Sequence, residues 1–142
     1  MLALGITILV AALAITLVVI VALDPGPTPS DVAIAYEEAW DRLDFVTLWT
    51  LSGTELRDDR TRADFLRAKG EAYAGRSTLA ELANQVEVDD ELVGSELAVV
   101  HTRLQLRDGA SVRNQVELAF RDGAWKVIGY RLEGEPPAGS PN

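Results

Sequence analysis

Residues 116–130 read VELAFRDGAWKVIGY. Apolar and polar side chains alternate up to Phe120, Asp122-Gly123 interrupts them, and alternation resumes at Trp125. Two runs of period two around Asp-Gly predict a β-hairpin, because these residues readily take the positive φ of a tight turn between twisted strands. A two-residue loop sets Trp125 opposite Phe120 and Val127 opposite Leu118. The same Arg-Asp-Gly-Ala wording stands at 107–110, between the alternating runs Leu97–Leu106 and Val112–Phe120. Partners across a sheet must share a face. Ala98, Val100, Leu104 and Leu106 match Val112, Val116, Leu118 and Phe120 only through an odd loop, such as a three-residue turn with Gly109 left-handed. Gln85–Leu92 alternates more weakly and adds a fourth strand.

Upstream the period is helical. Val32, Ala35, Tyr36, Ala39, Trp40 and Leu43 recur at three- and four-residue spacing, behind Ser30 as a candidate cap for a helix from Asp31. Glu37, Glu38, Asp41 and Arg42 are assigned to the opposite, solvent-facing side. Asp44 offers a second cap, ahead of Phe45, Leu48, Trp49 and Leu51. Thr61, with Asp64 three residues on, opens a third helix carrying Phe65, Leu66, Ala68 and Tyr73. Two or three helices followed by an antiparallel meander predict an α+β domain over 31–133, with helices on one side of a curved sheet.

Residues 1–23 carry no Asp, Glu, Lys or Arg. As a helix they would span roughly 34 Å, enough for a hydrocarbon core of about 30 Å. A cleaved signal is the competing reading. The apolar run is too long for it, no basic region precedes the run, and no small-x-small cleavage site follows. A single-pass transmembrane helix is therefore expected at 1–23, with a Pro-rich linker at 24–30 and a disordered tail at 134–142. The first basic residue after the segment is Arg42, so the α-amino group favours an extracytoplasmic C-terminal domain.

The formal charge is −9, with 13 Lys plus Arg against 22 Asp plus Glu and no cysteine. An acidic balance argues against nucleic-acid binding, which needs clustered cations. Absence of cysteine excludes a disulfide framework, a thiol nucleophile and a zinc ribbon. No phosphate loop, nucleophile elbow or His-Glu-x-x-His motif is present. The acidic run Glu87, Asp89, Asp90 and Glu91 lacks the spacing of a calcium loop and reads as a charged edge strand. No cofactor, metal or catalytic residue is assigned.

The segments AYEEAWDRLDFVTLWTLSG (35–53), GSELAVVHTRLQLRDG (94–109) and VELAFRDGAWKVIGY resemble the nuclear transport factor 2-like (NTF2-like) superfamily, over about residues 30–133. That resemblance implies a cone of bent sheet wrapped around helices. A hydrophobic segment ahead of such a domain is also similar in layout to bacterial accessory envelope proteins, including Mce-associated membrane proteins. Some relatives of this fold are isomerases, dehydratases or cyclases with a pocket Asp or His as general base. By the register above, the single histidine, His101, points away from the core beside Arg103. Asp44 is accounted for as a cap.

Tyr36, Trp40, Trp49 and Trp125 are the candidate pocket aromatics. His101, Arg103, Arg113, Gln115, Ile128 and Tyr130 are the candidate partner face, where Leu97, Val99 and Leu132 add apolar surface. The expected function is a membrane-tethered, non-catalytic binding or assembly domain that engages a protein partner or itself through the sheet face. The alternative is a protein or isomerase/dehydratase-type enzyme using the cone pocket for a small apolar ligand.

Overall fold

The computed structural model describes residues 26–133. Among them three α-helices, α1 (Pro29–Asp41), α2 (Phe45–Leu51) and α3 (Arg62–Tyr73), precede four strands. These are β1 (Ala83–Val93), β2 (Leu97–Leu106), β3 (Ser111–Arg121) and β4 (Ala124–Leu132), antiparallel in the order β1-β2-β3-β4. The α+β reading holds. No helix among the described residues is long and apolar enough to cross a membrane, and the span expected at 1–23 lies outside the described residues, as does the tail at 134–142.

The helix starts follow side-chain capping. Thr28, not Ser30, caps α1: its hydroxyl accepts from Asp31 N while Asp31 accepts from Thr28 N. Pro29 is preorganised for the first helical position, and Asp31 three residues after Thr28 completes the reciprocal box, so the helix begins two residues earlier than expected. Ser30 is thereby freed to donate to the Glu91 carboxylate. Asp44 and Thr61 cap α2 and α3 as read from the sequence. Leu43, expected on the apolar stripe, lies beyond the Arg42 cap of α1 with φ +53°, in the turn that leads to the Asp44 cap of α2.

Both hairpins have the expected loops. Gly109 has φ +89°, and Asp122 and Gly123 have φ +53° and +78°. Ala98 pairs Leu118, Val100 pairs Val116, Leu104 pairs Val112, Phe120 pairs Trp125 and Leu118 pairs Val127. Val100, Val116, Leu118 and Val127 are sealed beneath α1 and α2, with Val32, Ala33, Tyr36, Ala39 and Leu48. Each such large aliphatic, taken out of water, contributes about 1.5–3 kcal/mol.

Three register shifts interrupt the ladders, one at Asn84 near the start of β1 and two further on that change what the sheet presents. In β4 the pairing jumps from Leu118–Val127 to Glu117–Gly129, leaving Ile128 as the extra residue. Every later side chain changes face. Tyr130, expected on the outer face, thus lies opposite Val116 and points into the cone. In β1 the extra residue is Asp89, between Val88–Thr102 and Asp90–His101. Where β1 begins, Asp41 Oδ1 accepts from Leu82 N at 2.8 Å and Ala83 N at 2.9 Å. Asp41 is therefore a clamp between α1 and β1, rather than a free solvent-facing acid.

Candidate functional site

The core face is apolar except at one place. Thr102 and Asn114 are cross-strand partners at its centre, both buried. Polar groups there need a partner from the opposite layer. Glu37 supplies it, although the sequence reading set it on the exposed side of α1. It follows Ala33 by four residues and precedes Trp40 by three, along the flank of the buried stripe, and is 1% exposed. Its Oε1 accepts from Thr102 Oγ1 at 2.6 Å and Asn114 Nδ2 at 3.0 Å, and its Oε2 from the Tyr130 hydroxyl at 2.8 Å. Asn114 Nδ2 also donates to Tyr130 Oη at 2.8 Å. Asn114 Oδ1 is enclosed with no partner among the described residues, a local cost within an otherwise closed set.

The Tyr36 and Tyr130 rings meet at a centroid distance of 5.5 Å. Burial pushes both phenols above the ordinary tyrosine range. For Tyr130 the Glu37 charge and hydrogen bond add to it, whereas for Tyr36 the neighbouring Trp40 and Ser52 side chains pull the other way. The folded chain thus favours the neutral phenol. The associated stability is fully present below pH ~10, the ordinary value, and is lost as pH rises above it. Urea unfolding between pH 8 and 12 should show stability level up to about pH 10 and falling above it, by at most about 1.4 kcal/mol per pH unit for each phenol that the fold keeps neutral. Tyr130→Phe should lessen that fall.

Above this cluster lies a partly open cleft of about 340 Å³. Glu37 and Tyr130 line its floor, while Trp40, Leu43, Tyr73, Leu79, Leu82, Leu104 and Leu106 form its walls and rim together with the Asp41 carboxylate that holds Leu82 and Ala83. Of the four aromatics predicted for a pocket, only Trp40 reaches it. Tyr36 is buried beneath it against Tyr130. Trp49 packs on Phe65 at 5.3 Å, with the Arg57 guanidinium 4.2 Å from its ring centre, and joins α2 to α3. Trp125 packs edge-on to Phe120 at the far end of the sheet. The wall residues Leu82, Leu104 and Tyr73 were not singled out in sequence as ligand contacts.

On the outer face, the residues chosen as a partner surface are drawn into ion pairs. Asp89 Oδ2 takes Arg103 at 2.8 Å and Arg113 at 3.0 Å. Glu133 takes Arg113 at 3.2 Å and also pairs with His101 Nδ1. Gln115 donates to Glu117 at 2.9 Å. His101 points away from the core, as the register predicts. Ile128 lies at the β4 edge, where a Cβ on Gly53 would come within 3.0 Å of its Cγ2. Tyr130, turned inward by the bulge, is not part of this face.

Helices on the concave side of a strongly bent four-stranded meander can be compared directly with solved structures. A Campylobacter jejuni protein described as an NTF2-like transpeptidase aligns with a TM-score of 0.55 at 13% identity, covering 71% of this chain and 97% of that one. The fold is NTF2-like. A SEC-C motif-containing protein from Rhodopseudomonas palustris aligns at a TM-score of 0.51, with 14% identity over 73% of this chain and 77% of that one. An NTF2-like protein of unknown function from Silicibacter pomeroyi gives 0.47 at 15% identity, covering 72% and 90% of the two chains. At these identities the likeness concerns the NTF2-like fold alone. No protein-family model matches the sequence, and no curated protein matches it.

Proposed function

We propose that this chain is a membrane-tethered, non-catalytic binding domain that engages a protein partner or a second copy of itself through the outer face of its sheet. The observation that carries it is the closure of Glu37. A general base must reach a substrate proton with an available lone pair. The buried carboxylate of Glu37 is 1% exposed and is met by three side-chain donors from β2, β3 and β4, and Asp41, which also lines the cleft, is held by the Leu82 and Ala83 amides. It serves to join helix to sheet. His101, the other group considered for proton transfer, lies on the opposite side of the sheet, paired to Glu133.

The outer face supports a binding role because the three helices lie on the other side. It combines half-buried Val99 and His101 with the half-exposed guanidiniums of Arg103 and Arg113. The uncharged run at 1–23 supports the tether, and the layout similarity to envelope proteins supports an extracytoplasmic domain. The test is a photo-crosslinking residue at Gln115 in the full chain, in native membranes. A single adduct of defined mass, or a self-adduct, is expected, and Arg113→Glu on the same face should abolish it. Monomer alone, or adducts indifferent to Arg113→Glu, would count against the reading.

A second reading is favoured by the cleft. Apolar walls over a polar floor suit a small, mainly aliphatic ligand, and about 340 Å³ lies at the lower end of ligand-pocket volumes. Decanol or a similar probe should then raise the melting temperature, and Leu104→Trp should remove that response.

A further inference from the structure

The β1–β2 turn carries aliphatic side chains with nothing over them among the described residues. Leu92 is 74% exposed, Leu97 60% and Val93 48%. Phe120, 41% exposed, stands beside them, its N–H bonded to Glu96 O at 2.8 Å across the neck of the turn. By their pairing Leu92 and Leu97 belong to the outer face and Val93 and Phe120 to the core face, so exposed apolar side chains stand on both sides of this one end of the sheet. Single ones are ordinary, but several gathered at one end mark a contact surface.

What that surface meets is indicated by where the chain enters the domain. α1 begins at this same end of the sheet: Thr28 caps it, and Ser30 in its first turn bonds Glu91, next to Leu92. Only residues 24–27 separate Thr28 from the uncharged run at 1–23. Even as extended polyproline such a link reaches only about 15 Å at 3.1 Å per residue. The opposite end, with the β2–β3 turn and the mouth of the cleft, lies a sheet length away.

We infer that the β1–β2 turn, with Leu92, Val93, Leu97 and Phe120, seats in the interfacial layer of the bilayer that holds residues 1–23. This rests on the tether proposed above. Interfacial seating removes exposed aliphatic surface from water while polar atoms of the turn stay among headgroups. Glu91 and Glu96 flank the aliphatic residues, so the surface suits zwitterionic rather than anionic lipid. The domain then stands end-on, its cleft opening away from the membrane and its outer sheet face exposed sideways.

The chain has no cysteine, so single labels can be placed cleanly. Val93→Cys, and Asp108→Cys in the β2–β3 turn as the distal site, would each carry an environment-sensitive nitrobenzoxadiazole label on the full chain. The samples are phosphatidylcholine vesicles with and without doxyl-labelled lipid, and flotation is read on each. Expected is a chain that floats, with the label at 93 quenched several-fold more than the label at 108. Equal quenching at the two sites in a floating chain would overturn the inference and leave the tether standing. So would a label at 93 that is shielded from water yet indifferent to doxyl lipid, the result for a second copy or another protein on the turn. A chain that fails to float would overturn the tether and this inference together.

Discussion

Glu37→Ala is expected to lower the unfolding free energy by about 3 kcal/mol, since one truncation leaves the Thr102, Asn114 and Tyr130 donors without their acceptor. For a domain of this size that corresponds to a fall in melting temperature of roughly 12–20 °C. Glu37→Gln should cost less, because one amide oxygen still accepts from Thr102 and Asn114, while its NH₂ group now faces the Tyr130 hydroxyl. Chemical denaturation followed by tryptophan fluorescence reads both variants. A loss under ~0.5 kcal/mol for Glu37→Ala, the size of an ordinary surface substitution, would mean that the carboxylate is solvated after all.

Deleting residues 1–23 should move the protein from the carbonate-resistant membrane fraction to the supernatant almost completely. The proposed tether predicts this because an uncharged run of that length is stable in lipid and has no polar face to offer water. The remaining chain retains the core of Val100, Val116, Leu118, Val127, Tyr36 and Leu48, so it should unfold cooperatively on its own. Full-length protein that washes off vesicles with carbonate would contradict the tether.

How far the sequence carried differs from element to element, for physical reasons. Turn chemistry is local, and the Asp-Gly pairs at 108–109 and 122–123 set loop length, register and the partners of Phe120 and Leu118. Capping is local too, and Asp44 and Thr61 fall where their side chains suggest. Thr28 was missed because Ser30 offered an equally good hydroxyl nearby. The choice rests on Pro29 and on Asp31 sitting three residues after Thr28. Bulges are not local: the extra residues Ile128 and Asp89 answer the curvature that the sheet needs to wrap α1. Gly129 inside an otherwise apolar run was the available hint, since glycine within a strand often marks a bulge.

Glu37 was missed because helical spacing alone does not say where the edge of a buried stripe lies. A better signal stood on the strands. Thr102 and Asn114 interrupt the apolar parity at directly opposed positions, and paired polar residues on a core face require an acceptor from the layer above. With that pair noticed, α1 offered Glu37 and Glu38 as candidates. The cleft was less legible, because Leu82, Leu104 and Tyr73 converge from segments far apart in sequence. The ion pairs of Asp89 with Arg103 and Arg113 likewise depend on a bulge that no local pattern announces.

The role of Glu37 as the link between α1 and the sheet, on which the non-catalytic reading rests, is tested most directly by a double-mutant cycle. Urea unfolding at pH 7 would be measured for the parent chain, Glu37→Gln, Tyr130→Phe and the double variant. A coupling of about 1–2 kcal/mol is expected for two groups in one buried network. Losses that simply add, within ~0.3 kcal/mol, would show that Glu37 and Tyr130 act independently and that the carboxylate is free for other work.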